Sequence, residues 1–366
     1  TFLGIYVYRW GRRLGCLIFC VLEVIINLLE HIPSMPPLIF GRILGGLSTS
    51  LLFSAFESWM VSQHRKLGFP EELLASTFAI SSWGNGMMAI CAGILAQVAA
   101  DALGDIGPFQ LAIALTIICG GLISFWPENY GYCESVSAKR EREREVMPGV
   151  RSMLGSLKRS VGVIMKSPEI LLLGLAQAFF EGAMYSFVFL WVPALLSLNG
   201  GSLPTGLVFS AFMLSMTIGG MLFPLSLSLF PGNTEALCAS VYLVSSLTMT
   251  VPFISFSFYP VLIAFLVLET CVGMFYSCAA TLRSMYYPED MQSSIMSVFR
   301  LPLNLLVVCG TRLADTASDE SSMQRVFAVI SGVFLCAFIM QACLCLLPTK
   351  HKVSSVVENS ELKKNK

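Results

Sequence analysis

The chain has 366 residues, of which 55% are hydrophobic and only 13% charged. A typical soluble domain carries roughly 25% charged residues, so this one lacks the charge to coat a water-soluble surface, in keeping with a mean hydropathy of +0.74. The apolar content excludes intrinsic disorder, and 23 Lys+Arg against 23 Asp+Glu excludes a nucleic-acid binder. What remains is an all-α polytopic membrane protein whose first partner is the lipid bilayer.

The chain opens at Thr1, and Phe2 to Val7 is already apolar. There is no charged leader region and no small-residue cleavage site of a signal peptide. The opening reads as the end of a membrane helix that begins upstream. A bilayer core about 30 Å thick needs roughly 20 apolar residues per helix. Ten full candidates meet that length, near 14–30, 38–62, 73–100, 108–127, 170–196, 205–230, 236–257, 260–282, 292–312 and 325–347. The half-helix at 1–8 adds an eleventh element. Pro193, Pro224, Pro302, Gly45-Gly46 and Gly219-Gly220 lie inside these candidates, and membrane helices tolerate such residues better than soluble ones.

Lys and Arg in the short loops set the orientation. Arg9, Arg12 and Arg13 lie in the first loop, and Arg65 and Lys66 follow the span ending at 62. Lys139, Arg140, Arg142, Arg144, Arg151, Lys158, Arg159 and Lys166 crowd the long stretch from Glu128 to Pro168. Arg283 follows, and the tail holds Lys350, Lys352, Lys363, Lys364 and Lys366. The intervening loops at 31–37 and 197–204 have neither residue type, and the loop after 100 carries only Asp101 and Asp105. Basic loops thus alternate with non-basic ones, which puts the basic loops and the C-terminus in the cytoplasm. Residues 231–235 carry no Lys or Arg where that scheme wants them.

The alternating charges of Lys139 to Glu145 predict the start of a solvated, surface-lying helix rather than a binding tract. That stretch divides the chain into an N-terminal bundle (1–130), a charged cytoplasmic linker (131–167), a C-terminal bundle (168–347) and a cytoplasmic tail (348–366). Equal halves would need about one and a half more spans at the front, giving the six-plus-six plan of many secondary transporters. Most of the 12 cysteines fall inside apolar runs, where Cys packs as a small apolar residue. Cys343 and Cys345 have no His or second Cys pair nearby, so no metal site and no cofactor are expected. Gly84-Asn-Gly86 lies mid-span with no preceding strand and is not a nucleotide loop.

Two motifs carry a resemblance. Gly4, Arg9, Gly11, Arg12 and Arg13 fall in the first basic loop, in the run Gly4-Ile-Tyr-Val-Tyr8-Arg9-Trp10-Gly11-Arg12-Arg13. This run resembles the loop between the second and third helices of the major facilitator superfamily, G-x-x-x-D-R-x-G-R-R. Tyr8 stands where the family has an acid, which in that family can meet a helix N-terminus and latch one conformation. The plainer alternative is that the arginines only enforce orientation. Gly41-Arg42 with Gly45-Gly46 resembles the superfamily's fourth-helix pattern R-x-x-[QG]-G. The whole run Gly41 to Trp59 is similar to the molybdate-anion transporter family. So are Trp126-Pro-Glu128-Asn129-Tyr130, Gln177 to Glu181, Phe187 to Pro193 and Phe299-Arg300-Leu-Pro302. The resemblance implies a twelve-helix fold of two pseudo-symmetric bundles, here without helix 1 and part of helix 2, and uptake of molybdate.

Ionisable residues inside spans are expensive, about 2.5–3.5 kcal/mol for an Arg on insertion scales, and are functional candidates by default. Arg42, Glu57, Glu181, Glu269 and Arg300 are such residues. The superfamily's cavity-lining first, fourth, seventh and tenth helices would place Arg42 and Glu57 on the fourth, Glu181 on the seventh and Glu269 on the tenth. A carboxylate in a low dielectric favours its protonated form and can exchange protons near neutral pH. A guanidinium fork suits a tetrahedral oxyanion. Arg42 and Arg300 are therefore the expected anion ligands, with Asn85 and Gln177 as further donors. Glu57, Glu181 and Glu269 are the expected proton-coupling or gating groups. The alternative reading is that each Arg pairs permanently with a Glu and joins two helices.

The resulting expectation is a multi-pass carrier in the plasma membrane, not an enzyme, moving molybdate or a similar oxyanion by alternating access with coupled protons. Only His31, His64 and His351 exist, scattered in loops and tail, too dispersed for a catalytic cluster. The same fold moving a sugar or other organic solute, or a non-transporting sensor or scaffold, stays open, since one fold hosts many functions.

Overall fold

A computed structural model describes residues 11–52, 54–70, 72–128, 150–229, 233–288, 291–317 and 319–347, all helical or connecting. The half-helix at 1–8, with Gly4, Tyr8 and Arg9, lies outside the described residues, as do the 139–145 charge run and the tail. The helices in order are α1 (Arg12–Leu29), α2 (Met35–Leu52), α3 (Ala55–Lys66), α4 (Glu72–Leu103) and α5 (Gly107–Ser124). Then come α6 (Val150–Lys166), α7 (Pro168–Leu198), α8 (Thr205–Leu229), α9 (Thr234–Ile254), α10 (Phe258–Tyr286), α11 (Gln292–Asp315) and α12 (Glu320–Leu346).

Among the described residues nine stretches are long and apolar enough to cross a membrane, with α2 and α3 counted together as Met35–Lys66. The candidate near 14–30 is helical but is not among the nine; α1 includes Arg12, Arg13 and Glu23. Apolar side chains face outward throughout, with Ile80 70% and Leu122 63% exposed. That surface is stable only where lipid replaces water as solvent.

The chain divides into two compact units, Thr1–Gly149 with Pro204–Ser210, and Val150–Leu203 with Ala211–Lys366. In the first unit Cys16, Cys20, Leu51, Ala55 and Ile123 form the buried core, with Phe19, Phe56 and Trp126 packed against it. Trp59 stacks on Trp126 at 4.1 Å between centroids. Within the stretch expected over 38–62, α2 ends at Leu52 and α3 starts at Ala55; the Ser54 hydroxyl back-bonds to the Ser50 carbonyl at 2.7 Å, a bond that bends helices. Gln97 Oε1 accepts from the Gly206 amide at 2.9 Å, satisfying one of the free donors at the start of α8.

In the second unit α7, α9 and α10 are the deeply buried helices. Phe180 of α7 stacks on Phe275 of α10 at 4.1 Å and on Tyr242 of α9 at 4.8 Å, with Phe334 of α12 edge-on at 5.0 Å. Ser246 and Ser331 exchange hydroxyl-to-carbonyl bonds of 3.0 and 2.8 Å across α9 and α12. Backbones of α8 and α10 nearly touch at Gly219 and Gly273, where a Cβ would collide with the Thr270 and Met216 carbonyls. Such small-residue crossings hold membrane helices together without a hydrophobic drive between them. The expected linker segment from 150 onward is the amphipathic α6. It buries Ser160 and Ile164, exposes Lys158, Arg159 and Lys166, and belongs to the second unit.

Candidate functional site

The second unit holds a polar cluster built from three helices. On α7, Gln177 and Glu181 are one turn apart and therefore share a face. Gln177 is 5% exposed; its Nε2 donates to the Ala279 carbonyl at 3.4 Å and its Oε1 accepts from Arg283 Nη1 at 3.1 Å. Glu181 is half-buried, and the charges of Arg283 on α10 and Arg300 on α11 both act on it. Arg300 is exposed and Arg283 half-buried. Two guanidinium groups and one carboxylate thus share one electrostatic neighbourhood, with a net positive charge when all are ionised.

Along α10 the polar residues Glu269, Tyr276 and Arg283 recur every seven positions. Seven residues are about two turns, about 10.5 Å of rise, so all three lie on one face. Tyr276 donates its hydroxyl to the Met184 sulfur at 3.7 Å and feels the charges of both Glu181 and Glu269. Glu269 is 5% exposed, and its Oε2 has no hydrogen-bond partner. A buried carboxylate oxygen without a partner is costly if ionised. Just past α10, burial raises the Tyr287 phenol above its ordinary range although the Arg283 charge opposes this, so the hydroxyl stays a neutral donor.

The first unit distributes its charges differently. Arg42, at 83% side-chain exposure, sits 3.6 Å from Glu30. Asn85 is exposed on α4. Glu57 is exposed on α3 and lines a pocket with Arg12. At the start of α1, Gly11 has φ of +111°, and a Cβ there would strike the Glu128 carboxyl group. Glu128 Oε1 accepts from the Arg13 amide at 3.0 Å and Oε2 faces Arg13 Nε at 3.7 Å. Arg13 Nη1 also donates to the Trp126 carbonyl at 3.0 Å. An acid therefore meets the α1 N-terminus, where the dipole favours it, and Glu128 supplies it. Glu23, inside α1, accepts from the buried Ser48 hydroxyl at 2.5 Å.

Of the residues expected from sequence, the structure brings Gln177, Glu181 and Arg300 together, with Glu269 farther along the same α10 face as Arg283. Arg42, Asn85 and Glu57 lie in the first unit. Sequence reading missed Arg283, Tyr276, Glu23 and Tyr287. The seven-residue spacing to Glu269 was the available signal for Arg283 and Tyr276, and a lone acid in an apolar run was the signal for Glu23. Tyr287 gave no comparable pattern. Among the described residues no group of His, Cys, Asp and Glu is placed to hold a metal ion.

The fold is that of the major facilitator transporters. A mutant of the nucleoside transporter NupG superposes with a TM-score of 0.69 at 11% identity, covering 94% of this chain and 86% of that one. Residues 1–275 match a family model described as sugar transporters with 12 transmembrane segments. The "Molybdate-anion transporter" of Xenopus laevis is 35% identical over 347 residues, 90% of this chain and 71% of that protein. Its counterpart in Xenopus tropicalis is 34% identical over 371 residues, 97% and 75% respectively. The chain belongs to the molybdate-anion transporter family.

Proposed function

We propose that this chain moves molybdate, or a tetrahedral oxyanion like it, across a membrane by alternating access. The similarity to relatives named for that substrate, 35% over 90% of the chain, carries the reading. The second-unit cluster gives it a mechanism. Arg300 and Arg283 offer two guanidinium groups to a tetrahedral dianion, and Gln177 holds Arg283 by its 3.1 Å bond. Glu181 is the resident counter-charge, which an arriving anion must outcompete. Protonating Glu181 removes that competition, so proton and anion would travel together. Glu269 on α10 serves as a second proton carrier, and Tyr276, seven residues beyond it on the same helix, feels the charges of both Glu269 and Glu181. Arg42 supplies a further guanidinium in the first unit; its pair with Glu30 is exposed and weak, below about 1 kcal/mol.

The basic loops place the C-terminus in the cytoplasm, and uptake from outside places the carrier in the plasma membrane. The two bundles correspond to 1–130 and 168–347, joined by 131–167. The test is molybdate uptake into proteoliposomes, with tungstate and sulfate as competitors and sugars as controls. Competition by the oxyanions alone supports the reading, and competition by sugars alone overturns it. Sugar transport remains the second reading because the matching family model carries that description.

A further inference from the structure

A pocket in the first unit, sharing no residue with the polar cluster of the second, has the composition of an anion site. Its volume is about 320 Å³, and it is lined by Arg12, Ser54, Glu57, Ser58, Val61, Ser62 and Arg65. All but Arg12 lie on or just before α3, at positions 54, 57/58, 61/62 and 65, the spacing of a single helix face. At those positions a helix packed against lipid or protein would present apolar side chains; here only Val61 is apolar. Arg12, in the first turn of α1, closes the opposite wall. Arg12, Arg65 and Lys66 belong to the basic loops and helix ends that the Lys/Arg pattern assigns to one membrane face, where phospholipid headgroups would meet water.

We propose that this pocket binds a tetrahedral phosphate-class dianion, with Arg12 and Arg65 as paired guanidinium clamps and the α3 serines as hydroxyl donors. Guanidinium forks match phosphate oxygens through paired bonds. The Ser54 and Ser58 hydroxyls back-bond to the Ser50 and Ala55 carbonyls at 2.7 and 3.0 Å. Each can turn to a charged acceptor, which makes a bond roughly twice as strong as a neutral one. Glu57 brings the opposing charge. Among the described lining residues two arginines face one glutamate, so Glu57 is a built-in competitor of the ligand. The dianion is either free phosphate or the phosphomonoester headgroup of a lipid such as phosphatidic acid. The volume holds one tetrahedral group, and the open side leaves room for an ester arm.

The test uses the full chain in phosphatidylcholine nanodiscs. Inorganic phosphate in solution and phosphatidic acid in the bilayer are the two probes, with phosphatidylglycerol as a diester control. Binding is read by the dissociation constant and by the thermal midpoint. The expected result is stabilisation by at least one probe and not by the diester. Stabilisation by inorganic phosphate identifies a soluble ligand; stabilisation by phosphatidic acid alone identifies a headgroup. Arg65→Gln should weaken binding about tenfold, the loss of one charge-assisted contact. Glu57→Gln should tighten it about threefold by removing the competing charge, a gain that impaired folding cannot imitate. Absence of stabilisation by either probe overturns the proposal, and so does a Glu57→Gln change that leaves binding equal or weaker. Phosphate binding that survives Arg65→Gln and disappears in Arg300→Ala belongs to the second-unit cluster and overturns it as well.

Discussion

The two units handle charge in opposite ways. The first keeps most of its charges toward helix ends and surfaces, with Glu23 inside α1 the exception: Glu128 caps α1 through Arg13, Arg42 meets Glu30 in the open, and Arg12 and Arg65 line a pocket at the basic end. The second gathers Glu181, Arg283, Arg300 and Gln177 onto facing helices and leaves Glu269 buried with an unpartnered oxygen. Charge at a helix end is cheap, because water and headgroups share it. Charge inside a bundle is expensive and survives only where something uses it. The substrate chemistry proposed above therefore rests mainly on the second unit, and the proposed phosphate pocket on the first.

The contrast can be broken most directly at Arg283. Replacing it with Ala should lower molybdate uptake at least about 100-fold, since both the clamp and the Glu181 neutralisation go together, whereas Arg283→Lys should recover part of it. Uptake by Arg283→Ala at the wild-type rate would remove the cluster from the mechanism. Next in size is Phe180→Ala, which should cost about 3–5 kcal/mol of stability, the range for a buried Phe, read as a lowered thermal midpoint. Glu128→Gln should loosen the α1 cap by about 1 kcal/mol, shifting the midpoint by a smaller amount while leaving the affinity for molybdate unchanged. For proton coupling, uptake should rise as the outside is acidified, and Glu181→Gln, which removes the exchangeable proton, should flatten that dependence. A pH profile in the variant identical to wild type would clear Glu181 of the role. The smallest effect belongs to Arg42: Ala there should change uptake by less than about threefold if its exposed pair with Glu30 is all it makes, and a larger loss would move part of the substrate chemistry into the first unit.

Much of the fold was legible because lipid imposes a length on every span, and the apolar runs report it. The α7 to α12 boundaries follow from runs punctuated by loops such as Asn199 to Pro204. The break near Ser54 was not legible, because serine back-bonding is a local choice that composition does not register. Nor was α6, whose charges read as linker until its apolar face found a partner. At the site, Glu181, Gln177, Glu269 and Arg300 announced themselves as polar residues in oily sequence. Arg283 did not, because it sits where a loop Arg was already explained by orientation. Glu128 was hidden for a different reason: it meets Arg13 across 115 residues of chain, and no local pattern reports such a distance.

The aromatic stack around Phe180 has a consequence for selectivity. Phe180 adjoins Glu181 on α7, and Phe275 adjoins Tyr276 on α10, so the rings back the wall that presents the polar groups. Four interlocked rings make that wall stiff. A rigid wall does not shrink around a smaller guest, so under the proposed function trimming a ring should blur any distinction between molybdate and the smaller sulfate before it abolishes transport of either.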